Sequence, residues 1–326
     1  MANISITSAC NRSCGYCFAR EAYDRYADLP EYMHLETYET ILNFLDRSQI
    51  SQVRLLGGEP TLHPRLKIFI EMAIARNKKL IIFSNGHINR NNLRLLSGIP
   101  AEILLMIINV SITDRGDIRI SEEQDKMFKL LGDKAMVGLN IYKPNARLND
   151  VIDIIKGYNL KKSVRLGLAH PCINIDNKYL KAAYYGNIGN KVTGFAEKAR
   201  RENIKISFDC GFVPCMFNSM YPGNVWPDAT QCGLTCGPVI DILTDGSAVP
   251  CYPLASVARK KIMAEDNLDI VIAKFKKDLL LYRSAGIYPE CSECIYKNKG
   301  LCEGGCLALT IKRYRKADFS LLVKER

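Results

Sequence analysis

Short apolar runs alternate with stretches in which apolar side chains return every three or four positions, and this alternation fills the first half of the chain. Ile4 to Thr7 predicts a strand, while Leu35, Tyr38, Leu42 and Leu45 share one face of a helix over 35–45. Gln52 to Leu56 reads as a second strand. The pattern repeats through helices over 66–75, 91–96, 122–131 and 151–158 and strands over 79–83, 103–109, 135–141 and 163–168. Strands separated by helices in this way predict an α/β fold whose parallel sheet curls into a partial (β/α)6, TIM-like barrel. An open flavodoxin-like sheet is the alternative. Beyond Pro171 the pattern loosens, with helix within 179–201 and one more strand over 204–208.

Composition narrows the class. A chain of 326 residues with 48% hydrophobic content can bury one large α/β core with a small appendage, or two ordinary domains. Its 13 cysteines would suit a secreted disulfide scaffold, but such scaffolds are short and follow a signal peptide. The stretch Met1 to Ile6 has neither a basic nor an apolar signal region, and no run reaches the roughly 18 uncharged apolar residues of a membrane span. The expectation is a cytoplasmic protein with no membrane partner and with reduced thiols free to bind metal. A net charge of +11 favours an anionic partner in general terms: an acidic peptide, a phosphorylated metabolite, a nucleic acid or a reductase with an acidic face. The densest basic runs, Arg259-Lys260-Lys261, and Lys312-Arg313 with Arg315-Lys316, have only sparse aromatic interleaving and read as solvated faces, which argues against nucleic acid.

Three thiols stand together directly after the first strand. Cys10, Cys14 and Cys17 have C-x3-C-x2-C spacing and sit at the carboxyl end of that strand, where α/β folds place active sites. A [4Fe-4S] cluster used only for electron transfer binds each iron through its own thiolate, so a local triad leaves one iron open to a small ligand. A structural zinc knuckle is the alternative. The second strand ends in Gly57-Gly58-Glu59-Pro60-Thr61, where glycines permit close backbone approach to a ligand and a carboxylate can hold an ammonium group. With Tyr16 just before the third cysteine, the two loops resemble the signature of the radical S-adenosylmethionine (radical SAM) family. The resemblance implies that the amino and carboxylate groups of SAM chelate the open iron. It further implies that one electron cleaves SAM to methionine and a 5′-deoxyadenosyl radical, which takes a substrate hydrogen. It assigns Gly57, Gly58 and Glu59 to the amino group of SAM and Ser84 to its carboxylate.

Asn109, Ser111, Asn140 and Arg165 lie in or just after later strands and fit a charged nucleoside ligand, Arg165 by bidentate pairing with a carboxylate. Helix capping and strand-end satisfaction are the alternative roles. Asp209 and Cys210 fall at the same rim, with Cys215 close behind. Asp209 suits a base and either thiol a hydrogen-atom donor, against the alternative of structural cysteines.

The last third holds Cys232, Cys236, Cys251, Cys291, Cys294, Cys302 and Cys306. The spacing C-x9-G-x4-C between Cys236 and Cys251, then C-x2-C-x7-C-x3-C, resembles the SPASM extension of radical SAM enzymes. That places a catalytic domain at 1–209 and a cysteine-rich SPASM/twitch-like domain at 210–326. The resemblance implies one or two auxiliary [4Fe-4S] clusters, Cys232, Cys236, Cys251 and Cys306 holding the first and Cys291, Cys294 and Cys302 the second. The x7 spacing exceeds the usual x5, and no cysteine follows Cys306. The second cluster therefore lacks a fourth cysteine of its own: Asp318, Cys210 or Cys215 could supply the ligand, the site could stay open for substrate, or only one auxiliary cluster could form. A zinc ribbon is the alternative.

An auxiliary cluster near the substrate can accept the electron that a product radical must lose. The family then implies modification of a ribosomally made peptide by crosslinking, epimerisation or oxidation, with a flavodoxin- or ferredoxin-type electron donor. Dehydrogenation of a small, sugar-alcohol-like molecule is the alternative. The first strand begins within a few residues of Met1, so a leader-recognition domain of the kind many peptide maturases carry is not expected ahead of it.

Overall fold

The computed structural model describes residues 1–25, 29–217, 236 and 239–316. Its centre is a parallel run of strands: β1 (Ala2–Thr7), β2 (Gln52–Gly57), β3 (Lys79–Ser84), β4 (Leu104–Ile112), β6 (Ala135–Ile141), β7 (Ser163–Leu168) and β8 (Lys205–Phe208), adjacent in that order. The intervening β5 (Ile118–Arg119) folds back antiparallel on β4, which is why β4 runs past the predicted Asn109 to Ile112. Successive parallel strands need crossovers, and helices Leu35–Arg47, Leu66–Ala75, Arg90–Ser97, Glu122–Leu131 and Asp150–Gly157 supply them. Helix Tyr185–Arg201 leads into β8.

Strand alternation divides the side chains. Val53 and Leu55, Leu80 and Ile82, Met106 and Ile108, Val137 and Leu139, and Val164 and Leu166 are buried within the main hydrophobic core. The opposite phase carries Arg54, Phe83, Asn109, Asn140 and Arg165. In-register partners share a face, so Asn109, Gly138, Arg165 and Ser207 form one row across β4, β6, β7 and β8.

The cysteine-rich tail continues the same sheet. Strand β9 (Ile240–Ile242) pairs parallel with β1, and β10 (Ser247–Val249) and β11 (Lys260–Lys261) follow antiparallel. Asn3 donates to Asp241 at 2.8 Å, and Arg54 donates to Asn3 at 2.9 Å, so the junction is tied to β2 as well. At the chain's other end, Lys312 on helix Leu307–Lys316 donates to the Cys172 carbonyl at 3.0 Å, fastening this helix beneath the loop after β7. No described helix is long and apolar enough to cross a membrane.

Candidate active site

The loop carrying Cys10, Cys14 and Cys17 leaves β1 and turns where the Cys17 N–H reaches the Cys14 carbonyl at 3.0 Å. All three thiols are free. Burial pushes Cys10 up, and Cys14 and Cys17 stand close enough to add to it. Tyr16 stacks on Tyr142 with ring centroids 4.7 Å apart, and Arg12 donates to Ser111 at 3.1 Å.

Gly57 and Gly58 serve this loop directly. A Cβ on Gly57 would lie 2.2 Å from the Thr7 carbonyl oxygen, and one on Gly58 would lie 2.2 Å from that of Ala9. Their amide neighbourhood is locked in turn: Gly58 N–H donates to Thr7 O and Glu59 N–H to Ala9 O, both at 2.8 Å. On their Cβ side the close approach is of backbone to backbone.

Glu59 sits at the same strand end. Its side chain is fully buried and its oxygens accept from Thr61 N–H at 3.2 Å, Thr61 Oγ1 at 2.6 Å, Ser84 Oγ at 2.9 Å and Asn85 N–H at 2.8 Å. Burial pushes its carboxyl up, countered by those donors. The carboxylate braces the ends of β2 and β3 against each other. Ser84 is likewise engaged, accepting from Gly86 N–H at 3.0 Å. Asn85, which the sequence reading passed over, joins the brace to the thiols: its side chain donates to Asn11 at 2.8 Å and lies 4.0 Å from Cys10 Sγ. Its place immediately after a polar strand end was the available signal.

Across the row of strands, Arg165 contacts Asn140 Oδ1 at 3.2 Å and forms an ion pair with Asp209. Its guanidinium lies 5.7 Å from the centroid of the Phe83 ring, which Arg54 faces at 5.2 Å. Burial lowers Arg165 to about 10, so it stays charged at neutral pH. Asn109 Oδ1 is buried with no hydrogen-bond partner, 2.7 Å from where a Gly138 Cβ would stand. An orphaned buried acceptor in the same row as Arg165 is a setting that suits a polar ligand. Gln124, buried on helix Glu122–Leu131, holds the Asn85 and Asn109 carbonyls at 2.8 and 3.1 Å.

The structure splits the two rim thiols. Cys210 Sγ lies 3.2 Å from Nε2 of buried His170, another group the sequence reading missed. Around that pair stand Cys306, Cys236 and Cys251, the last two pushed up by burial and by their neighbouring thiols. Cys215 instead shares a cavity with Cys291, Cys294 and Cys302. Cys210 and Cys215 therefore do not face one reaction centre together. Cys232 and Asp318 lie outside the described residues. Among the described residues no three such donors converge tightly enough for a single metal ion. A cube of four irons is bound through ligands on separate irons, so donors that reach it surround a group larger than one ion.

Residues 4–166 match the family model described as the radical SAM superfamily. Among curated proteins, an S-adenosylmethionine-dependent nucleotide dehydratase of Selenomonas ruminantium is 30% identical over 27% of this chain and 31% of its own length. The chain thus spans less than a third of that relative. A GTP 3′,8-cyclase of Helicobacter pylori is 25% identical over 81% of this chain and 84% of that one. Among solved structures, native anSMEcpe with bound AdoMet aligns with a TM-score of 0.66 and 17% identity, covering 99% of this chain and 97% of the other. Streptococcus suis SuiB bound to precursor peptide SuiA aligns with a TM-score of 0.59 and 17% identity over 83% and 64% of the two chains. At these identities the structural likeness establishes a shared fold, a partial barrel followed by a cysteine-rich region.

Proposed function

Because the chain belongs to the radical SAM superfamily, we propose that this enzyme uses S-adenosylmethionine to modify a ribosomally synthesised peptide, by crosslink, epimerisation or oxidation. With SAM bound, a [4Fe-4S] cluster on Cys10, Cys14 and Cys17 supplies the radical chemistry. The donor set fits: three free thiols on one loop at the carboxyl end of β1. The Glu59, Ser84 and Asn85 brace holds that loop against β2 and β3. Asn109, Asn140 and Arg165 offer an unpaired amide oxygen, a second amide and a fixed cation to the polar ends of the cofactor. Asp209 positions Arg165. We take 1–209 as the catalytic unit, 210–326 as a unit for auxiliary [4Fe-4S] clusters, and a flavodoxin or ferredoxin as electron donor.

The observation that carries the peptide reading is the extent of likeness to SuiB, solved with its precursor peptide, across barrel and tail together. The test is anaerobic incubation of the reconstituted enzyme with SAM, reductant and short peptides encoded beside its gene. A mass change that requires SAM supports the reading. Turnover of a small molecule with no peptide present would overturn it.

A second reading rests on a different observation. A curated alignment that spans 81% of this chain is to a GTP 3′,8-cyclase, and the net charge of +11 suits an anionic nucleotide. Nucleoside triphosphates therefore belong in the same assay, beside sugar alcohols.

A further inference from the structure

We propose that Cys215, which follows β8 of the barrel, is the fourth ligand of a second auxiliary [4Fe-4S] cluster whose other ligands are Cys291, Cys294 and Cys302. This rests on the auxiliary-cluster reading above and specifies its ligands.

The four thiols line one cavity, with Ile287 and Tyr296 as apolar walls. Their supports are rigid and independent. Cys215 sits in the turn Pro214–Met216, and Gly189 on helix Tyr185–Arg201 lets that turn pack tightly, since a Cβ there would stand 1.9 Å from the Met216 carbonyl oxygen. Val213 and Met216 on either side are buried, while Cys215 itself is exposed to the cavity side. Cys291 is packed against Gly286, where a Cβ would lie 2.6 Å from its sulfur. Cys302 receives the Gly304 N–H at 3.3 Å, a donor to sulfur of the kind that stabilises a bound thiolate. Gly304 and Gly305 hold φ of +83° and +82°, and the turn they make carries the chain from Cys302 to Cys306.

That turn separates the last two cysteines. Cys302 faces Cys215, whereas Cys306 stands with His170, Cys210, Cys236 and Cys251. Among the described residues Cys291, Cys294 and Cys302 bring three thiols to the cavity, and four are needed to bind every iron of a cube. Cys215, in the turn that follows β8, fills the remaining place. The consequence is that Cys215 is a ligand and not a hydrogen-atom donor, and that this cluster ties the turn after β8 to the C-terminal cysteines.

The experiment begins from a parent in which Cys10, Cys14 and Cys17 are all alanine, so that iron reports on the tail alone. After anaerobic reconstitution the parent should hold about eight irons per chain. Adding Cys215→Ala should lower this to between about four and seven and give a Mössbauer spectrum of a lost or three-iron second cluster. Cys291→Ala should do the same. Wild-type protein supplies a check that needs no variant: iodoacetamide should modify Cys215 slowly when reconstituted and rapidly after iron is chelated, in step with Cys291. Unchanged iron and spectrum in Cys215→Ala, with loss in Cys291→Ala, would overturn the assignment while leaving the cluster. About four irons in the parent would overturn both, and neither result touches SAM cleavage by the wild type.

Discussion

The Glu59 carboxylate accepts the Asn85 backbone N–H at 2.8 Å, joining the end of β2 to the end of β3 beneath the cysteine loop. Removing it leaves Asn85 N–H, Thr61 and Ser84 without a buried acceptor, each at about 1–3 kcal/mol. Glu59→Ala should therefore destabilise the protein by roughly 3 kcal/mol in denaturant unfolding. Glu59→Gln should fall between, since its amide keeps one acceptor but turns N–H groups toward donors. A loss below about 1 kcal/mol in Glu59→Ala would mean the brace is not structural.

Gly58 offers a sharper test of what the second loop does. Its Cβ would collide with the Ala9 carbonyl at 2.2 Å and the Ser8 carbonyl at 2.5 Å, both backbone atoms. Gly58→Ala should displace the strand end that leads into Cys10. Reconstituted iron should fall by up to about four per chain, with the tail iron retained. Full iron content in this variant would show that the thiol loop tolerates the displacement.

Arg165 is held between Asn140 and Asp209. A lysine keeps the charge but loses the planar fork. Arg165→Lys should weaken SAM binding by about tenfold, roughly 1.4 kcal/mol, with iron content unchanged. Equilibrium dialysis under anaerobic conditions measures this. Unaltered SAM affinity would assign Arg165 to substrate or to structure.

The β1–β9 junction carries a pH dependence. Burial pushes Asp241 up to about 6, against the donors Asn3 and Tyr252 and the charge of Arg54. The folded value lies above the unfolded one, so its contribution is full below about pH 4 and is lost as pH rises through about 6. The loss is on the order of 3 kcal/mol. Asp241→Asn removes the titration, so its stability should change less than that of the wild type between pH 4.5 and 7 (about 3 kcal/mol less at most). Parallel pH profiles for the two proteins would contradict the assignment.

The barrel strands were legible because each is a short apolar run bounded by polar residues, as at Ala135–Ile141 and Ser163–Leu168, where the observed strands coincide with the predicted ones. The tail's junction with β1 was not, because Ile240–Ile242 is a three-residue strand whose partner lies at the other end of the chain. At the candidate site, residue type singled out the strand ends, but side-chain direction did not follow from it. Glu59 turns inward since Ser84, Asn85 and Thr61 surround it, a tertiary fact absent from the Gly-Gly-Glu string. Spacing also gave the order of the thiols without their grouping. Cys302 and Cys306 lie four positions apart yet face different sets of neighbours, because two glycines with positive φ turn the chain between them. His170 carried no signal of its own, being a lone histidine after a strand.

The most direct test of the central claim is reductive cleavage of SAM, assayed as 5′-deoxyadenosine formed by anaerobically reconstituted protein with and without Cys10, Cys14 and Cys17. The wild type should form 5′-deoxyadenosine, and the variant with all three changed to alanine should form none while retaining iron in its tail. Cleavage that persists in that variant, or its absence from fully reconstituted wild type, would contradict the account.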